Sequence, residues 1–500
     1  MYPDVSSRLA GEELGTKTQY LSDEAGIVKG NAERIFFPET EEDIIELTKL
    51  ATKARIPITI SGGGTGISGG RVPLGGWIVA TDKMRKLPSN DRSQEFPKEI
   101  WNDPETGIGY EIRLETLDED DALITVPVSM PLKALQAWSS RHGWFYPPDP
   151  TERSAFLGGN VACNASGARS FKFGATRTWI EALRVVLPNG DLIILRREMK
   201  ERLGDKKNII LRSKNRTYSV PRPTYKNPEL RKNVAGPVLE NQSDPSDLFI
   251  GTDGIFGIIT EVTARLIRPP KTIVSIIAFC STREQAMSLI QTCQEKREAK
   301  LHPIPMSVEY ADAAALTIVR SNYPQIPKNV ACIVYLEQDV DREAEIEEIL
   351  NYWDNLLNDQ SIKDTWVEYS PIGIETHKQF RHSMPEAVNR LVRRNGQAKL
   401  GTDYSVPREN FKEFLDYVYL CGDRFEKFQL DQGTKGGVPS YVVWAHAGDS
   451  HVHLNFLPKS DSESLYAKGL LIEMMKTVVS SGGSIAAEHG LGKKAFNGRP

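Results

Sequence analysis

The chain contains 500 residues, of which 40% are hydrophobic, and has a formal net charge of −4 at pH 7. It is long enough for two or three domains with substantial cores, and its slightly acidic balance gives no reason to expect a nucleic-acid-binding protein. The five cysteines are scattered without a C-x-x-C pair, which argues against a disulfide framework or an iron–sulfur site.

The N-terminal segment, residues 1–33, precedes the first patterned region. It lacks the apolar core of a signal peptide, and no run in the chain approaches the ~18–20 apolar residues of a membrane span. We therefore expect a soluble, cytoplasmic protein without a transmembrane segment. Peripheral contact with a membrane and a homodimeric state both stay open.

A helix, a strand and a glycine-rich loop follow from Phe36. The sequence FFPETEEDIIELTKLA has acidic residues at its start and apolar residues at helical spacing, which predicts a capped helix. A short strand then leads into SGGGTGISGG, residues 61–70, and GGWIVATD predicts a second strand. The loop has neither the spacing of a Rossmann fingerprint nor the G-K-[ST] end of a Walker A loop. It predicts backbone N–H groups around a pyrophosphate, because glycine allows positive φ and close approach.

Two polar stretches occupy the middle of the chain. Between Pro88 and Asp121 the sequence is acidic with one plausible hairpin, which predicts a surface insertion. Residues 196–232, the basic stretch, carry 13 Lys or Arg against 4 Asp or Glu and show no helical or strand period. The basic stretch predicts a solvated loop, and the alternative is a docking patch for an acidic redox partner or an anionic surface.

A double proline, Pro269 and Pro270, follows an alternating strand and predicts a domain boundary. Beyond it, apolar strands such as TIVSIIAFC alternate with helices such as REQAMSLIQTCQEK. This order predicts an α+β domain whose antiparallel sheet carries helices on one face. The predicted organisation is a segment over 1–33, one domain over 34–270 and a second, cap domain over 271–500.

The first half contains three glycine-rich segments. In chain order they are GGGTGISGG, then PPDP with LGGNVACNASGARSFKFGATR, then IGTDGIFGIITEVT. Together they resemble the PCMH-type FAD-binding domain of the vanillyl-alcohol oxidase flavoprotein superfamily. The resemblance implies that the first loop holds the FAD pyrophosphate and that the other segments lie beside the flavin, the ribityl chain and the adenine. The implied FAD-binding residues are Ser61, Gly62, Gly63, Gly64, Thr65, Gly66, Ile67, Ser68, Pro148, Asp149, Gly158, Gly159, Asn160, Asn164, Gly167, Asp253, Gly254, Gly257 and Ile259. Thr65 stands where members that tether the flavin place a histidine, so the resemblance implies non-covalent FAD.

Four of the eight histidines lie close to the C-terminus: His446, His451, His453 and His489. The segment WAHAGDSHVHLNFLP predicts two strands joined by a turn, with His451 and His453 on one face because side chains alternate. Two imidazoles and a carboxylate such as Glu488 form a ligand set for Zn²⁺ or Mn²⁺. A hydrogen-bonded core histidine is the alternative at each position.

HAGDSHVH and AAEHGLG resemble the paired motifs of the FAD-linked oxidase C-terminal domain of D-2-hydroxyacid dehydrogenases, which act on D-lactate, glycolate or D-2-hydroxyglutarate. The resemblance covers residues 34–495. It implies that His446, His453 and Glu488 bind zinc or manganese and that His489 is the catalytic base. Arg381, in FRHSMPEAVNR, would bind the substrate carboxylate.

Several positions depart from that family's pattern. Ser450 and His451 replace its usual Gly-Asn pair, Pro385 replaces an expected threonine, and Gly401 stands where the hydroxyglutarate enzymes have a lysine. We expect His451 to be either an extra metal ligand or a hydrogen-bond donor. Lys399 could replace the missing lysine only if its side chain reached the substrate from a different position in the chain. The chain also ends at AFNGRP, before the terminal helix that the resemblance implies, so we expect a short or truncated form.

The resemblance implies oxidation of a 2-hydroxy acid to the 2-oxo acid. It favours the D configuration of the substrate. The metal would bind the substrate hydroxyl and carboxylate, the base would take the hydroxyl proton, and hydride would pass to flavin N5. No haem, iron–sulfur or NAD motif is visible, so we expect a separate acceptor, a protein or a quinone, to reoxidise the flavin. Two alternatives stay open: a metal-independent alcohol or phenol oxidase, and a non-catalytic FAD-binding subunit of a redox complex.

Overall fold

The computed structural model describes residues 11–26, 28–88, 96–197, 206–398, 400–434 and 437–493. The elements of the first half are β1 (Arg34–Phe36), α1 (Glu41–Ala54), β2 (Ile58–Ser61), β3 (Trp77–Ala80), β4 (Glu99–Asn102), β5 (Gly109–Thr116), β6 (Asp121–Pro127), α2 (Leu132–Arg141), α3 (Leu157–Cys163), α4 (Ser170–Phe173), β7 (Ile180–Val186), β8 (Leu192–Arg196), β9 (Asn208–Arg212), β10 (Thr217–Pro221) and β11 (Ile258–Ile267).

The second half follows the double proline. Its elements are β12 (Thr272–Cys280), α5 (Arg283–Glu298), β13 (Ser307–Asp312), α6 (Ala313–Val319), β14 (Cys332–Val340), α7 (Ile346–Asp359), β15 (Asp364–Glu368), α8 (Pro371–Arg394), β16 (Leu400–Gly401), β17 (Tyr404–Ser405), α9 (Phe411–Asp431), β18 (Tyr441–His446), β19 (His451–Phe456) and α10 (Asp461–Ser480).

The predicted helix and two strands around the glycine loop are confirmed. Helix α1 begins with a capping box, in which the Thr40 side chain accepts from the Asp43 N–H and the Asp43 carboxylate accepts from the Thr40 N–H. The strands form a small parallel sheet in the order β1-β3-β2. Strand β2 ends at the buried Ser61, which fixes the start of the glycine loop.

A six-stranded antiparallel sheet, in the order β4-β5-β6-β11-β7-β8, completes the first half. The predicted hairpin between Pro88 and Asp121 is present as β4 and β5. Strand β4 is mostly exposed at the edge of the sheet, as expected of a surface insertion, but β5 also belongs to the core. Residues 113–116 of β5 pair with β6, and Tyr110 and Ile112 of the same strand are buried in the core. Tyr110 and Ile112 alternate with charged residues in the sequence, which is the period-two pattern of a strand with one buried face.

The basic stretch also differs from its prediction as a loop without strands. Strands β9 and β10 form an antiparallel hairpin, and Ile209 and Leu211 are buried at alternate positions. The end of the stretch turns inwards, where the Lys232 side chain is 0% exposed. The prediction of a solvated loop therefore holds for only part of the basic stretch, whose residues 198–205 lie outside the described residues.

The second half is built on an eight-stranded sheet in the order β15-β12-β14-β13-β18-β19-β16, with β17 paired to β19. Its pairs are antiparallel, so the predicted α+β class is confirmed. The prediction of helices on one face is wrong. Ile276 of β12 packs in a core shared with α5, α7, α9 and α10, whereas its neighbour Ile277 packs with α6 and α8. Pro385 inside α8 and its many polar residues hide this helix in the sequence.

Strand β11 ends at Ile267 and β12 begins at Thr272, so the double proline falls between the two sheets. Among the described residues, no helix is both long and apolar enough to cross a lipid bilayer.

Candidate active site

A cavity of about 1190 Å³ lies where the two halves of the chain meet. This volume exceeds the roughly 300–1,000 Å³ of ordinary ligand pockets. The predicted FAD-binding residues that line it are Gly62, Gly63, Gly64, Thr65, Gly66, Ile67, Ser68, Gly158, Gly159, Asn160, Gly167, Asp253, Gly254, Gly257 and Ile259. The predicted substrate and metal residues that line it are Arg381, His446, His453, Glu488 and His489. The cavity is thus large enough for a bulky cofactor together with a small substrate.

The glycine loop forms one wall of this cavity. Gly64 and Gly69 have φ of +84° and +80°, in the left-handed region that favours glycine. The Asp23 carboxylate accepts from the Gly69 N–H at 2.6 Å and fixes the end of the loop. A Cβ atom at Gly62 or Gly66 would meet no atom within 4 Å, so their backbone is bare to the cavity.

Helix α3 supplies the next wall with two adjacent glycines of different character. A Cβ at Gly158 would lie 2.7 Å from Val128 Cβ, whereas a Cβ at Gly159 would meet nothing within 4 Å. The buried Asn160 lines the cavity, and its Nδ2 has no hydrogen-bond partner among the residues that the structure describes. The bare glycine backbone and this unpaired amide fit a polar, elongated ligand such as FAD.

Four predicted FAD-binding residues lie outside the cavity lining: Ser61, Pro148, Asp149 and Asn164. Ser61 is buried at the end of β2, and its carbonyl accepts from the Thr81 hydroxyl. Asn164 ends α3 with φ of +50°, and its Oδ1 accepts from the Arg177 N–H at 2.8 Å. Asp149 lies 3.8 Å from Arg169 Nε. These contacts support the walls of the cavity from behind.

The histidines gather because β18 and β19 form the hairpin predicted from their spacing. His446 lies opposite His451 in the register, and His453 follows two residues later on the same face. All three side chains are buried together with Glu488. Glu488 Oε1 lies 3.1 Å from His446 Nε2 and 3.4 Å from His453 Nε2. The predicted metal-binding residues are therefore brought together.

Each imidazole of this cluster has its second nitrogen held from outside. His446 Nδ1 lies 2.8 Å from Glu309 Oε1, and His453 Nδ1 lies 3.1 Å from the Thr402 carbonyl oxygen. Because these oxygens can only accept, both Nδ1 atoms carry the proton and each Nε2 faces Glu488. Outer acceptors of this kind orient metal-bound histidines in proteins. The donor set and its supports fit a divalent metal ion.

The second oxygen of Glu488 is held separately. Oε2 accepts from the Ser166 hydroxyl at 2.7 Å and from Lys232 Nζ at 2.8 Å. Burial works to raise the pKa of Glu488, but Lys232 and then His446 hold it well below its usual range. Glu488 is therefore an ionised carboxylate with Oε1 directed at the histidines.

The imidazoles differ in their affinity for protons. Burial works to lower the pKa of His446, but Glu309 and then Glu488 outweigh it and raise the pKa to about 9. Burial lowers the pKa of His453, and burial with the neighbouring His453 lowers that of His451 to about 3. His451 and His453 are thus neutral, the form in which histidine binds metals, whereas His446 would have to release its Nε2 proton when an ion binds.

His489 is held beside this cluster by Asp403. His489 Nδ1 lies 3.1 Å from Asp403 Oδ1, and the other carboxylate oxygen accepts the backbone N–H groups of residues 487–489. Burial works to raise the pKa of Asp403, but His489 first and His451 next hold it well below its usual range. An ionised Asp403 fixes the proton on Nδ1 of His489 and leaves Nε2 as an acceptor.

Arg381 lines the same cavity on α8. Its Nη1 lies 3.5 Å from Glu309 Oε2, and Nη2 lies 3.0 Å from His382 Nε2. The pKa of Arg381 is raised, since Glu309 and Asp149 outweigh the opposing effect of burial. Its guanidinium is thus a fixed positive charge facing the cavity.

Two of the positions that depart from the family's pattern, Pro385 and Gly401, also line the cavity. Lys399 and the terminal residues 494–500 lie outside the described residues.

Sequence reasoning missed three residues that organise the site: Lys232, Glu309 and Asp403. Lys232 was one of 13 basic residues in the basic stretch, and Glu309 lies 137 residues from His446 in the sequence. Asp403 follows Gly401 by two residues in a segment with no pattern that marks it as a site residue. The one usable signal was that each site histidine needs an outer acceptor, which gives no position in the sequence.

The fold, the glycine-lined cavity and the imidazole cluster define a flavoprotein oxidoreductase. Residues 32–96 and 112–196 match the FAD binding domain, and residues 269–496 match the C-terminal domain of FAD linked oxidases. The chain belongs to the FAD-linked oxidases that combine these two domains.

The chain is similar to several proteins of comparable length over most of its sequence. The chain is 25% identical to a D-lactate dehydrogenase of Anaerostipes hadrus, covering 97% of this chain and 86% of the relative. It is 26% identical to the glycolate oxidase subunit GlcD of Bacillus subtilis (92% and 80%) and 23% identical to a D-2-hydroxyglutarate dehydrogenase of Stutzerimonas stutzeri (92% and 82%). A solved structure of alkyldihydroxyacetonephosphate synthase shares the fold, with a TM-score of 0.63 at 17% identity, covering 96% of this chain and 78% of that one.

Proposed function

We propose that this protein oxidises a D-2-hydroxy acid to the 2-oxo acid with non-covalent FAD and a divalent metal ion. The observation that carries the proposal is the convergence of His446, His453, Glu488 and His489 on one cavity whose other wall is the glycine loop. The relatives named above, enzymes of D-lactate, glycolate and D-2-hydroxyglutarate, support the substrate class.

The FAD would be held by the glycine loop, by α3 and by the segment 253–259. Bare backbone at Gly62, Gly66 and Gly159 leaves room for close approach of phosphate and ribityl oxygens. When bound, FAD supplies the acceptor for the hydride from the substrate Cα. Thr65 offers no ring nitrogen for a covalent tether, which supports non-covalent binding.

His446, His453 and Glu488 would hold the metal, with zinc or manganese as the ions that suit imidazole and carboxylate ligands. A metal at this position supplies Lewis acidity, which lowers the pKa of a bound hydroxyl. The chain's own part is to present the ligand atoms already oriented. Glu309 and the Thr402 carbonyl keep the two imidazoles turned inwards, and Lys232 with Ser166 holds one oxygen of Glu488.

His489 takes the hydroxyl proton of the substrate at Nε2. Asp403 keeps the proton of the neutral imidazole on Nδ1, so that Nε2 is free to accept, and it stabilises the imidazolium that forms. Arg381 binds the substrate carboxylate with its guanidinium. Because Glu309 contacts both Arg381 and His446, it couples the position of the carboxylate to that of the imidazole cluster.

Electrons would leave to a separate acceptor, a protein or a quinone. The hairpin of β9 and β10 exposes basic side chains, among them Lys206, Lys207 and Lys214. This hairpin is the proposed docking surface for an acidic acceptor, because like-signed exposed charges steer an oppositely charged partner.

The experiment is an anaerobic absorbance titration of the purified flavoprotein with matched D- and L-2-hydroxy acids. The expected result is stoichiometric bleaching of the flavin by a D-2-hydroxy acid, with the 2-oxo acid as product. Bleaching by a simple alcohol or phenol instead would favour an alcohol or phenol oxidase. Flavin that no compound bleaches, in a fully loaded protein, would favour a non-catalytic FAD-binding subunit.

A further inference from the structure

His451 is a third imidazole on the rim of the proposed metal site. Its side chain is 0% exposed, and its Nδ1 lies 3.9 Å from Glu488 Oε1. The ring centroids of His451 and His453 are 4.2 Å apart. One donor atom from each of His446, His451, His453 and Glu488 lies within 4.8 Å of every other. The cluster is therefore one imidazole larger than the predicted set of ligands.

The orientation of the His451 ring is fixed from outside, like that of its neighbours. Nε2 lies 2.8 Å from Asp403 Oδ1, a carboxylate oxygen that can only accept. Nε2 therefore carries the proton, and Nδ1 presents a lone pair towards Glu488. Within the described residues, this buried Nδ1 has no hydrogen-bond partner. A buried acceptor without a partner is rare and calls for a ligand or an ion.

His377 shows why the missing partner alone would not suffice. It is also a buried histidine, with Nδ1 2.8 Å from Ser275 Oγ and with Nε2 unpaired in the described part of the chain. Its surroundings are aromatic, with Trp366 and Tyr335 against the ring. At His451, by contrast, the unpaired nitrogen faces an ionised carboxylate and two other imidazole nitrogens. The convergence of four donors distinguishes a ligand from a core histidine.

We propose that His451 Nδ1 is a ligand of the metal, so that the ion is held by three imidazoles and the carboxylate of Glu488. This inference rests on the metal site of the proposed function and adds a ligand to it. Ligand atoms in a tetrahedral zinc site lie about 3.3–3.6 Å apart, since each is about 2.0–2.2 Å from the ion. The distances of 3.1, 3.4 and 3.9 Å from Glu488 Oε1 lie close to that edge length.

The third imidazole would also connect the metal to the base. Asp403 Oδ1 lies 2.8 Å from His451 Nε2 and 3.1 Å from His489 Nδ1, so one oxygen supports both rings. The position of His489 is thus set by the same carboxylate that orients a metal ligand. Four protein ligands fill every position of a four-coordinate ion, so substrate binding requires an ion that expands its coordination when substrate arrives.

The test is zinc X-ray absorption on the FAD-loaded full chain, together with zinc affinity measured by chelator competition. The proposal predicts three imidazoles per zinc in the unaltered protein and two in His451→Asn, whose amide can still donate to Asp403. Zinc affinity should fall at least about tenfold in His451→Asn and stay unchanged in His377→Asn, the matched buried control.

Two imidazoles per zinc in both proteins, with equal affinities, would overturn the inference and leave the proposed function intact. A fully folded, FAD-loaded protein that binds no zinc or manganese would remove both. Circular dichroism and flavin content report whether His451→Asn folds. If it does not, the imidazole count in the unaltered protein decides the question without the variant.

Discussion

The Glu309 carboxylate lies 2.8 Å from His446 Nδ1. The two residues belong to β13 and β18, which pair directly in the eight-stranded sheet. The same carboxylate lies 3.5 Å from Arg381, so one side chain supports both a proposed metal ligand and the proposed carboxylate-binding group.

Replacing Glu309 by glutamine should weaken metal binding. The amide removes the charge that stabilises the protonated Nδ1, and losses of outer-shell partners cost about 10–100-fold in metal affinity or activity. Metal content after dialysis against a graded chelator series measures the effect. Arg381→Lys serves as the comparison, because it should raise KM for the hydroxy acid while leaving metal content unchanged. Equal metal retention by Glu309→Gln and the unaltered protein would contradict the assigned role.

Replacing Asp403 by asparagine should slow substrate-dependent reduction of the flavin. His489 would lose the partner that fixes its proton on Nδ1, and loss of such an orienting carboxylate costs up to about 10⁴ in rate. Stopped-flow absorbance across a pH series gives the rate and its pH profile. The profile separates a role in proton transfer, which displaces the midpoint, from simple loss of structure, which lowers the rate at every pH alike. An unchanged rate and profile would refute the role.

Two adjacent glycines of α3 should respond oppositely to added side chains. Gly159→Val projects into the open cavity, so it should lower FAD content with little change in the stability of the apoprotein. Gly158→Ala would place a Cβ 2.7 Å from Val128 Cβ, and overpacking of this kind costs about 1–3 kcal/mol. Flavin absorbance per protein and thermal unfolding distinguish the two effects. Full FAD occupancy in Gly159→Val would show that FAD does not bind against Gly159 of α3.

The buried His377 should make stability depend on pH. Burial lowers its pKa from 6.5 to about 4. Since the folded pKa lies below the unfolded one, the unfolded chain binds the proton first, and stability falls as the pH drops from 6.5 towards 4. One proton changes the free energy of unfolding by at most about 1.4 kcal/mol per pH unit. Denaturant unfolding at several pH values should show a shallower slope for His377→Gln, and identical slopes would contradict this assignment.

Charge reversal on the β9–β10 hairpin should slow electron transfer to an acidic acceptor. Lys207→Glu with Lys214→Glu changes the exposed charge without touching the cavity, so reduction of the flavin by substrate should be unaffected. Lys427→Glu with Lys476→Glu, on the exposed sides of α9 and α10, makes the same change in charge elsewhere. The rate of flavin reoxidation by the acceptor at low salt measures the effect. If both double variants slowed flavin reoxidation equally, the effect would come from net charge alone, and the hairpin would not be the docking surface.

Local patterns in the sequence predict much of this architecture. The capping box of α1, the glycine loop and the alternation of His451 and His453 depend on neighbouring residues, so their geometry follows from dihedral preferences and the strand period. Helix α8 was not predicted, because its polar residues and Pro385 obscure the helical pattern.

The supports of the site could not be predicted in this way. Lys232 reaches Glu488 across 256 residues, and Glu309 reaches His446 across 137. Such contacts depend on how the sheets and the loop ends pack together, which no local period encodes. A charged residue destined for burial also looks, in sequence, like its exposed neighbours.

The central claim is that a metal held by the imidazole cluster positions a hydroxy acid for reaction with FAD. The most direct test is the rate of anaerobic flavin reduction by a D-2-hydroxy acid before chelation, after chelation and after zinc or manganese is returned, with flavin content monitored throughout. The account predicts that chelation abolishes reduction while FAD stays bound, and that the returned ion restores it. Reduction at an undiminished rate in metal-free protein would contradict the claim.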